Sequence, residues 1–249
     1  MAAHPAPPER APAAGSAARP WPLTVATWNI HGAVGCDRRF VPERIGQVLC
    51  EIDADVVALQ EVPLGGREGA DLLAALRDAC PGELVEGPTV ATAARRYGNA
   101  VLSRHPMVAA RSVDLSFGAR EPRGALDADL ICHGHPLRVV ATHLGLSLAE
   151  RRHQIARLLE VFDTDAMPVI LLGDINEWFA WGRSLRWLVS HFQAVPAPPT
   201  FPSRWPVLAL DRIWIRPRQR LLHVHVHASP LARVASDHLP LVARIGIAA

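Results

Sequence analysis

Val169-Ile170-Leu171-Leu172-Gly173-Asp174-Ile175-Asn176 runs through four apolar residues and stops on a glycine, a carboxylate and an amide. The apolar part reads as a buried strand. Asp174 and Asn176 flank Ile175, so alternation turns both polar side chains one way while Ile175 faces the core. The same pattern recurs along the chain. Leu23–Ala26 leads into Thr27-Trp28-Asn29-Ile30, Val56–Leu59 into Gln60-Glu61, Leu137–Ala141 into Thr142-His143-Leu144, and Val207–Leu210 into Asp211-Arg212-Ile213. Ser236-Asp237-His238 instead precedes an apolar run, Leu239–Ile247. Folding does not require polar residues at one strand end after another, whereas a sheet that presents functional groups in a shared crevice does.

Strands and helices interleave between these peptides without a linker. Helices are expected over Asp37–Ile52, Asp71–Ala79, Ser147–Phe162 and Gly182–Phe192. The third is the best marked, because Ser147 and Glu150 form a capping box and Ile155, Leu158, Leu159 and Phe162 continue an apolar stripe. Ala100–Leu102 reads as a strand, and Leu126–Cys132 with Leu137–Thr142 reads as a hairpin turning at His133-Gly134-His135-Pro136. Leu221–Ala228 alternates as a strand with His223, His225 and His227 on one face. Hairpins mixed with crossovers suggest an α/β domain with two mostly antiparallel sheets packed face to face and helices outside.

Bulk properties narrow the class. A chain of 249 residues with 49% hydrophobic composition can bury the core of one large domain. The formal charge of +2 lacks the basic clusters of a dedicated nucleic-acid binder. Cys36, Cys50, Cys80 and Cys132 have no metal or disulfide spacing; they read as small buried hydrophobes in a reduced, cytoplasmic protein. Residues 1–21, rich in Ala and Pro, read as a disordered tail ahead of a domain over 22–249. No apolar run is long enough for stable insertion in a membrane.

The residue types at the strand ends suit a hard cation with acid–base chemistry. Glu61 closes a buried run, where a carboxylate is costly unless paired or bound to a metal. Asn29 adds a neutral oxygen or a phosphate donor, and Asp237 lies beside His238 at the mouth of the last strand. Oxygen donors of this kind favour Mg²⁺, with Mn²⁺ as a substitute. A carboxylate such as Asp211 hydrogen-bonded to His238 would fix its tautomer and leave the other ring nitrogen to activate water. His143 is placed to donate to a phosphoryl oxygen.

Taken in order, these six peptides resemble the motif set of the endonuclease/exonuclease/phosphatase superfamily, the DNase I-like phosphohydrolases, from about Leu23 to the C-terminus. The resemblance implies a four-layered αββα sandwich that hydrolyses phosphate esters with a divalent metal. It implies Glu61 as principal metal ligand with Asn29 and Asp237 completing or flanking the site, and His238, oriented by Asp211, acting on the attacking water. Asp174 and Asn176 would position nucleophile, phosphate or leaving group, and His143 would stabilise the transition state. Tyr97–Arg104 is similar to the family's central strand segment, which makes Asn99 a candidate phosphate contact. Arg123, in Arg120–Ala125, is another. His31 is expected to support its loop, the His223/His225/His227 stripe to be a solvated edge, and His133 and His135 to be hairpin tip.

The substrate expected from this pattern is a phosphate diester, either nucleic acid or a phospholipid head group. A phosphomonoesterase and a catalytically inactive scaffold are the alternatives. Trp178, Phe179, Trp181, Trp187 and Trp205, with Arg183 and Arg204, crowd the segments after Asn176 and before Asp211; they would suit an amphipathic phosphate ester or stacked nucleotides. The Trp-Cys-Asp-Arg type of motif seen in inositol polyphosphate 5-phosphatases is absent before Asp211, and the surface is less basic than that of abasic-site nucleases.

Overall fold

The computed structural model describes residues 21–92, 95–161, 167–179 and 182–247. The expected tail, apart from residue 21, together with Phe162 and Trp181, lies outside the described residues. Along the chain the elements are β1 (Trp21–Asn29), α1 (Pro42–Ile52), β2 (Val56–Pro63), α2 (Gly66–Ala79), β3 (Glu83–Ala91), β4 (Arg96–Ser103), β5 (Met107–Asp114) and β6 (Gly124–Cys132). They continue as β7 (His135–His143), α3 (Leu148–Val161), β8 (Val169–Asp174), α4 (Arg183–Phe192), β9 (Asp211–Arg216), β10 (Leu221–Val226), α5 (Ala232–Ala235) and β11 (Leu241–Ile247).

One sheet has the order β10-β11-β1-β2-β4-β3 and the other β5-β6-β7-β8-β9. Pairing is antiparallel except at β1–β2 and β7–β8. Each central strand is covered on both faces, which is why its sequence is a continuous apolar run rather than an alternation. In β1, Leu23 and Val25 pack between the sheets with Ala58, Leu126, Val139, Leu172 and Ile213. Ala26 and Trp28 point the other way, onto Ile45 of α1 and Leu72 of α2. On the far side Val140, Leu171 and Trp214 meet Leu158 of α3 and Leu188 of α4. The three apolar layers between four layers of structure are the αββα sandwich expected from the sequence.

Pairing carries the motif peptides to one end of the molecule. Parallel β1 and β2 set Asn29 opposite Gln60, and parallel β7 and β8 set His143 opposite Asp174. Strand β9 runs antiparallel to β8 with Asp211 opposite Asp174, and β11 antiparallel to β1 with Leu241 opposite Thr27. The C-terminal ends of four strands and the N-terminal ends of two therefore share one edge of the sandwich.

Several boundaries differ from expectation. Val207–Leu210 is not a strand: only Leu208 forms a bridge, to Phe201, and Val207 is exposed. Asp211 thus begins a strand instead of ending one, and the apolar character of the segment before it belongs to a surface loop. Helix α1 starts at Pro42 rather than Asp37, as suits a residue with no N–H to leave unsatisfied in a first turn; Asp37 is tied to Arg44 across the preceding turn. Helix α2 begins at Gly66, earlier than expected. Edge strands β3 and β5 escaped the sequence reading because one holds Gly87 and Pro88 and the other is largely exposed. Cys80 and Cys132 are buried as anticipated, but Cys36 and Cys50 are exposed. The Ser147–Glu150 capping box is formed in both directions, and β10 is the solvated edge strand foreseen for the histidine stripe.

Candidate active site

Glu61 reaches the cluster through a bulge. The register of β2 against β4 shifts between Leu59 and Val62, Glu61 takes a left-handed φ of 58°, and such an irregularity re-aims a side chain. Gln60 turns inward and pairs with Thr27, while the Glu61 carboxylate accepts from Asn29 Nδ2 at 3.0 Å and from the Tyr97 hydroxyl at 2.9 Å. The Asn29 Oδ1 accepts the His31 backbone N–H at 3.0 Å. Its Nδ2 therefore faces the acids and donates to Asp174 Oδ2 as well, at 3.1 Å. Desolvation and the Glu61 charge raise the Tyr97 hydroxyl's pKa, so it remains a donor.

Gly173 explains how Asp174 is delivered. Its φ of 148° is unfavourable for an L side chain, and a Cβ there would run into the Thr142 carbonyl oxygen of β7. Gly173→Ala should cost about 1–3 kcal/mol or more by overpacking, read as a lowered urea midpoint with a parallel loss of activity. One residue on, Asp174 is fully enclosed, and its Oδ1 accepts the Asn176 backbone N–H at 2.9 Å. Asn176 has a left-handed φ of 52°, which Asn tolerates better than most residues.

Both imidazoles converge on Asp174 Oδ2, His143 Nε2 at 3.5 Å and His238 Nε2 at 3.7 Å. His238 Nδ1 lies 2.8 Å from Asp211 Oδ2, which also accepts the Thr200 hydroxyl at 2.6 Å. The His238 backbone is pinned by Ser236 Oγ, and its carbonyl accepts the Trp28 indole N–H at 2.9 Å. His143 Nδ1 lies 3.1 Å from Arg123 Nη1. A guanidinium only donates, so Nδ1 accepts and the His143 proton sits on Nε2. The Asn176 amide nitrogen stands 3.0 Å from that Nε2 and donates to the Leu144 carbonyl at 2.9 Å.

The electrostatics follow from burial and from anions in close company. Burial and the neighbouring Asp211 raise Asp174 to about 6, against the lowering effects of His238 and Asn29. For His238 burial favours the neutral ring, yet Asp211, Asp174 and Asp237 outweigh it and raise the group to about 10. Burial, then the charges of Arg123 and His238, hold His143 well below the usual imidazole range. Asp174, Asp211 and His238 place ligand atoms within 4.8 Å of one another, all buried. With His238 held protonated and Asp211 engaged by His238 and Thr200, the carboxylate oxygens of Asp174 and Glu61, which share the Asn29 amide, are the donors that fit a hard divalent cation.

The other sequence candidates fall as follows. Asp237 is half-buried and accepts from Ser236 Oγ at 3.4 Å. Asn99 spends its amide on the Gly124 carbonyl at 3.1 Å, a tie between the two sheets. Arg123 joins the cluster through His143 and also pairs with Glu121 at 2.9 Å. His31 is exposed and contacts the Val34 carbonyl, His227 pairs with Glu51 at 2.7 Å, and His133 meets His105 edge to face. Three supporting residues went unassigned in the sequence. Tyr97 and Ser236 sit inside quoted motifs but contact the cluster only through folding, and Thr200 lies in a Pro-rich segment with no pattern to single it out. Arg151 and Glu177, both fully buried, form a further pair beneath the loops at 3.4 Å.

Comparison with known proteins gives four findings that bear on this geometry. The model of the Endonuclease/Exonuclease/phosphatase family matches residues 26–238. The uncharacterized protein YbhP of Escherichia coli K12 is 32% identical over 245 residues, spanning 89% of this chain and 95% of its own. Among solved structures, an endonuclease/exonuclease/phosphatase from Beutenbergia cavernae superposes with a TM-score of 0.72 at 26% identity, covering 91% of this chain and 72% of that one. The human Nocturnin catalytic domain with bound sulfate shares the fold, with a TM-score of 0.65 at 21% identity over 92% and 95% of the two chains.

Proposed function

The chain belongs to the endonuclease/exonuclease/phosphatase family, and on that premise we propose that it is a Mg²⁺-dependent phosphodiesterase acting through water attack on phosphorus. The observation that carries this reading is one continuous chain of contacts: Tyr97–Glu61–Asn29–Asp174, with His143 and His238 on Asp174 and Asp211 behind His238. The proposed cation, Mg²⁺ or Mn²⁺, would be held by Glu61 with Asp174 near it and Asp237 flanking; Asn29, expected from the sequence as an oxygen ligand, instead gives its oxygen to the His31 N–H and positions the two carboxylates through Nδ2, and the bound cation would supply positive charge against the phosphate oxygens.

The residues divide the remaining work. Asp174, raised toward neutrality by burial and then by Asp211, holds the attacking water and accepts its proton, since a base is most effective with a pKa close to the working pH. Asp211 and Thr200 fix His238 through Nδ1, which keeps that ring a charged donor toward the phosphoryl group. His143 Nε2–H and the Asn176 amide nitrogen stand side by side, and a phosphoryl oxygen lying in front of the pair would accept from both. Arg123 holds the His143 tautomer. Stabilisation of developing charge by one such donor is worth about 3–4 kcal/mol, or roughly a hundred- to thousandfold in rate. Arg123 joins the cluster through His143, and the buried Arg212 beside Asp211 adds a second positive charge there. Free cysteines, two of them exposed, support a reducing, cytoplasmic setting.

Hydrolysis of bis(p-nitrophenyl) phosphate and p-nitrophenyl phosphate with Mg²⁺, Mn²⁺ or EDTA tests the proposal. Diester cleavage that needs the metal and falls at least about a hundredfold in Glu61→Gln is expected. Preference for the monoester would replace the reading with a phosphatase. Full EDTA-resistant activity in Glu61→Gln would exclude the mechanism.

A further inference from the structure

Among the described residues, six of the ten large hydrophobic side chains that are exposed lie on three loops at the catalytic end. Leu146 and Leu148 follow β7, Trp178 and Phe179 follow β8, and Trp205 and Val207 precede β9; all six are exposed, Phe179 at 52%, Val207 at 71% and Trp205 at 75%. Because β7 and β8 are parallel and β9 is antiparallel to β8, these three loops lie at the same edge of the sandwich. They are tied together there. Arg151 donates to the Gly145 and Leu146 carbonyls and pairs with Glu177, next to Trp178, while Ile175 N–H bonds the Leu210 carbonyl at the end of the third loop. His143, Asp174, Asn176 and Asp211 are only a few residues from the exposed side chains, so the apolar rim borders the mouth of the site.

The exposed charge on these three loops has one sign, while the exposed acid Glu121 beside the cluster is paired with Arg123. Within residues 144–148, 175–179, 182–183 and 199–210, the exposed charged side chains are Arg183 and Arg204; the acids Glu177 and Asp174 are buried. Exposed apolar clusters rimmed by polar residues mark interaction surfaces. Aromatic and aliphatic side chains flanked by arginine match a bilayer interface, where the apolar groups enter the acyl boundary and the guanidinium groups meet anionic head groups. Single-stranded nucleic acid would use the tryptophans, since bases stack on aromatic rings. It would gain nothing from Leu146, Leu148 and Val207, which have no face to stack on.

We infer that this rim docks the protein on an anionic lipid surface and that the diester cleaved, on the reading given above, is a phospholipid head-group ester presented at that surface. The apolar loops would set the cluster's mouth against the head-group layer, so the scissile phosphate need not leave the bilayer.

Co-sedimentation in EDTA with vesicles of phosphatidylglycerol and phosphatidylcholine reads docking without catalysis. The parent protein should bind, pure phosphatidylcholine should bind it more weakly, and Trp178→Ala/Phe179→Ala/Trp205→Ala should bind at least about tenfold less, as loss of buried apolar area requires. The same triple variant should cleave bis(p-nitrophenyl) phosphate at the parental rate. It should lose release of water-soluble phosphate from the vesicles with Mg²⁺. Equal vesicle binding by parent and triple variant, or no binding by either, overturns the inference while leaving a working soluble diesterase in place. Rim-dependent binding to an oligothymidylate in place of the vesicles would overturn it in favour of a nucleic acid. Vesicle docking with no metal-dependent diester cleavage would instead overturn the catalytic reading on which the choice of substrate rests.

Discussion

Asp174→Asn is expected to lower Mg²⁺-dependent diester turnover by about a thousandfold or more, while the metal-free protein melts no lower than the parent at pH 7.5. The first half follows from position: Asp174 Oδ2 is reached by Asn29 and faced by both imidazoles. The second half follows from the sign of its proton affinity. Folding raises this carboxyl from an ordinary 3.8 to about 6, first by burial and then by Asp211. A raised acid favours the folded state in its protonated form. Its contribution is complete below 3.8 and is lost as pH rises through about 6, so at pH 7.5 the ionised group opposes folding. An amide removes that penalty at the cost of an imperfect hydrogen bond to Asn29. Melting curves in EDTA at pH 4 and pH 7.5 check the point, and the variant should compare more favourably with the parent at the higher pH. A variant that unfolds many degrees earlier at pH 7.5 would show that Asp174 serves structure first.

Arg151→Met should destabilise the protein by about 3–5 kcal/mol, the usual cost of stranding one partner of a buried ion pair. Arg151 and Glu177 are entirely enclosed and 3.4 Å apart, and Arg151 also donates to the Gly145 and Leu146 carbonyls. Glu177 keeps Ser184 Oγ at 2.9 Å and the Phe179 backbone N–H at 3.2 Å, too few partners for a buried anion. With about 2–4 °C per kcal/mol for a chain of this size, the melting temperature should fall by roughly 10 °C. Replacing both residues, Arg151→Met with Glu177→Leu, should recover much of that loss, because an apolar pair of similar volume leaves no charge behind. Turnover should not recover to the same degree: the pair bridges the loop after His143 to the loop after Asn176, and so keeps two groups of the cluster in register. A double variant restored in both stability and rate would reduce the pair to packing.

The reading of Val169–Asn176 needed no tertiary information, because a strand covered on both faces must be apolar throughout and the polarity that follows it marks where cover ends. The same logic marked Asn29, Glu61, His143 and His238 and supported the sandwich as a class. It failed at Val207–Leu210, whose apolar letters cover a loop, since composition does not distinguish a short buried strand from a partly buried apolar loop. It passed over β3 and β5 because edge strands pack on fewer neighbours and carry no periodic constraint. Roles were still less legible. That Asn29 offers its nitrogen to the acids depends on the His31 N–H taking its oxygen, and that His143 donates through Nε2 depends on Arg123 facing Nδ1. Those contacts join residues 2 to 145 positions apart. Which groups stand at strand ends is legible from the order of residues alone, because burial along a strand is a local property. Which of them meet, and in which protonation state, emerges from folding, because pairing register, the bulge at Glu61 and shared burial are properties of segments brought together from distant parts of the chain.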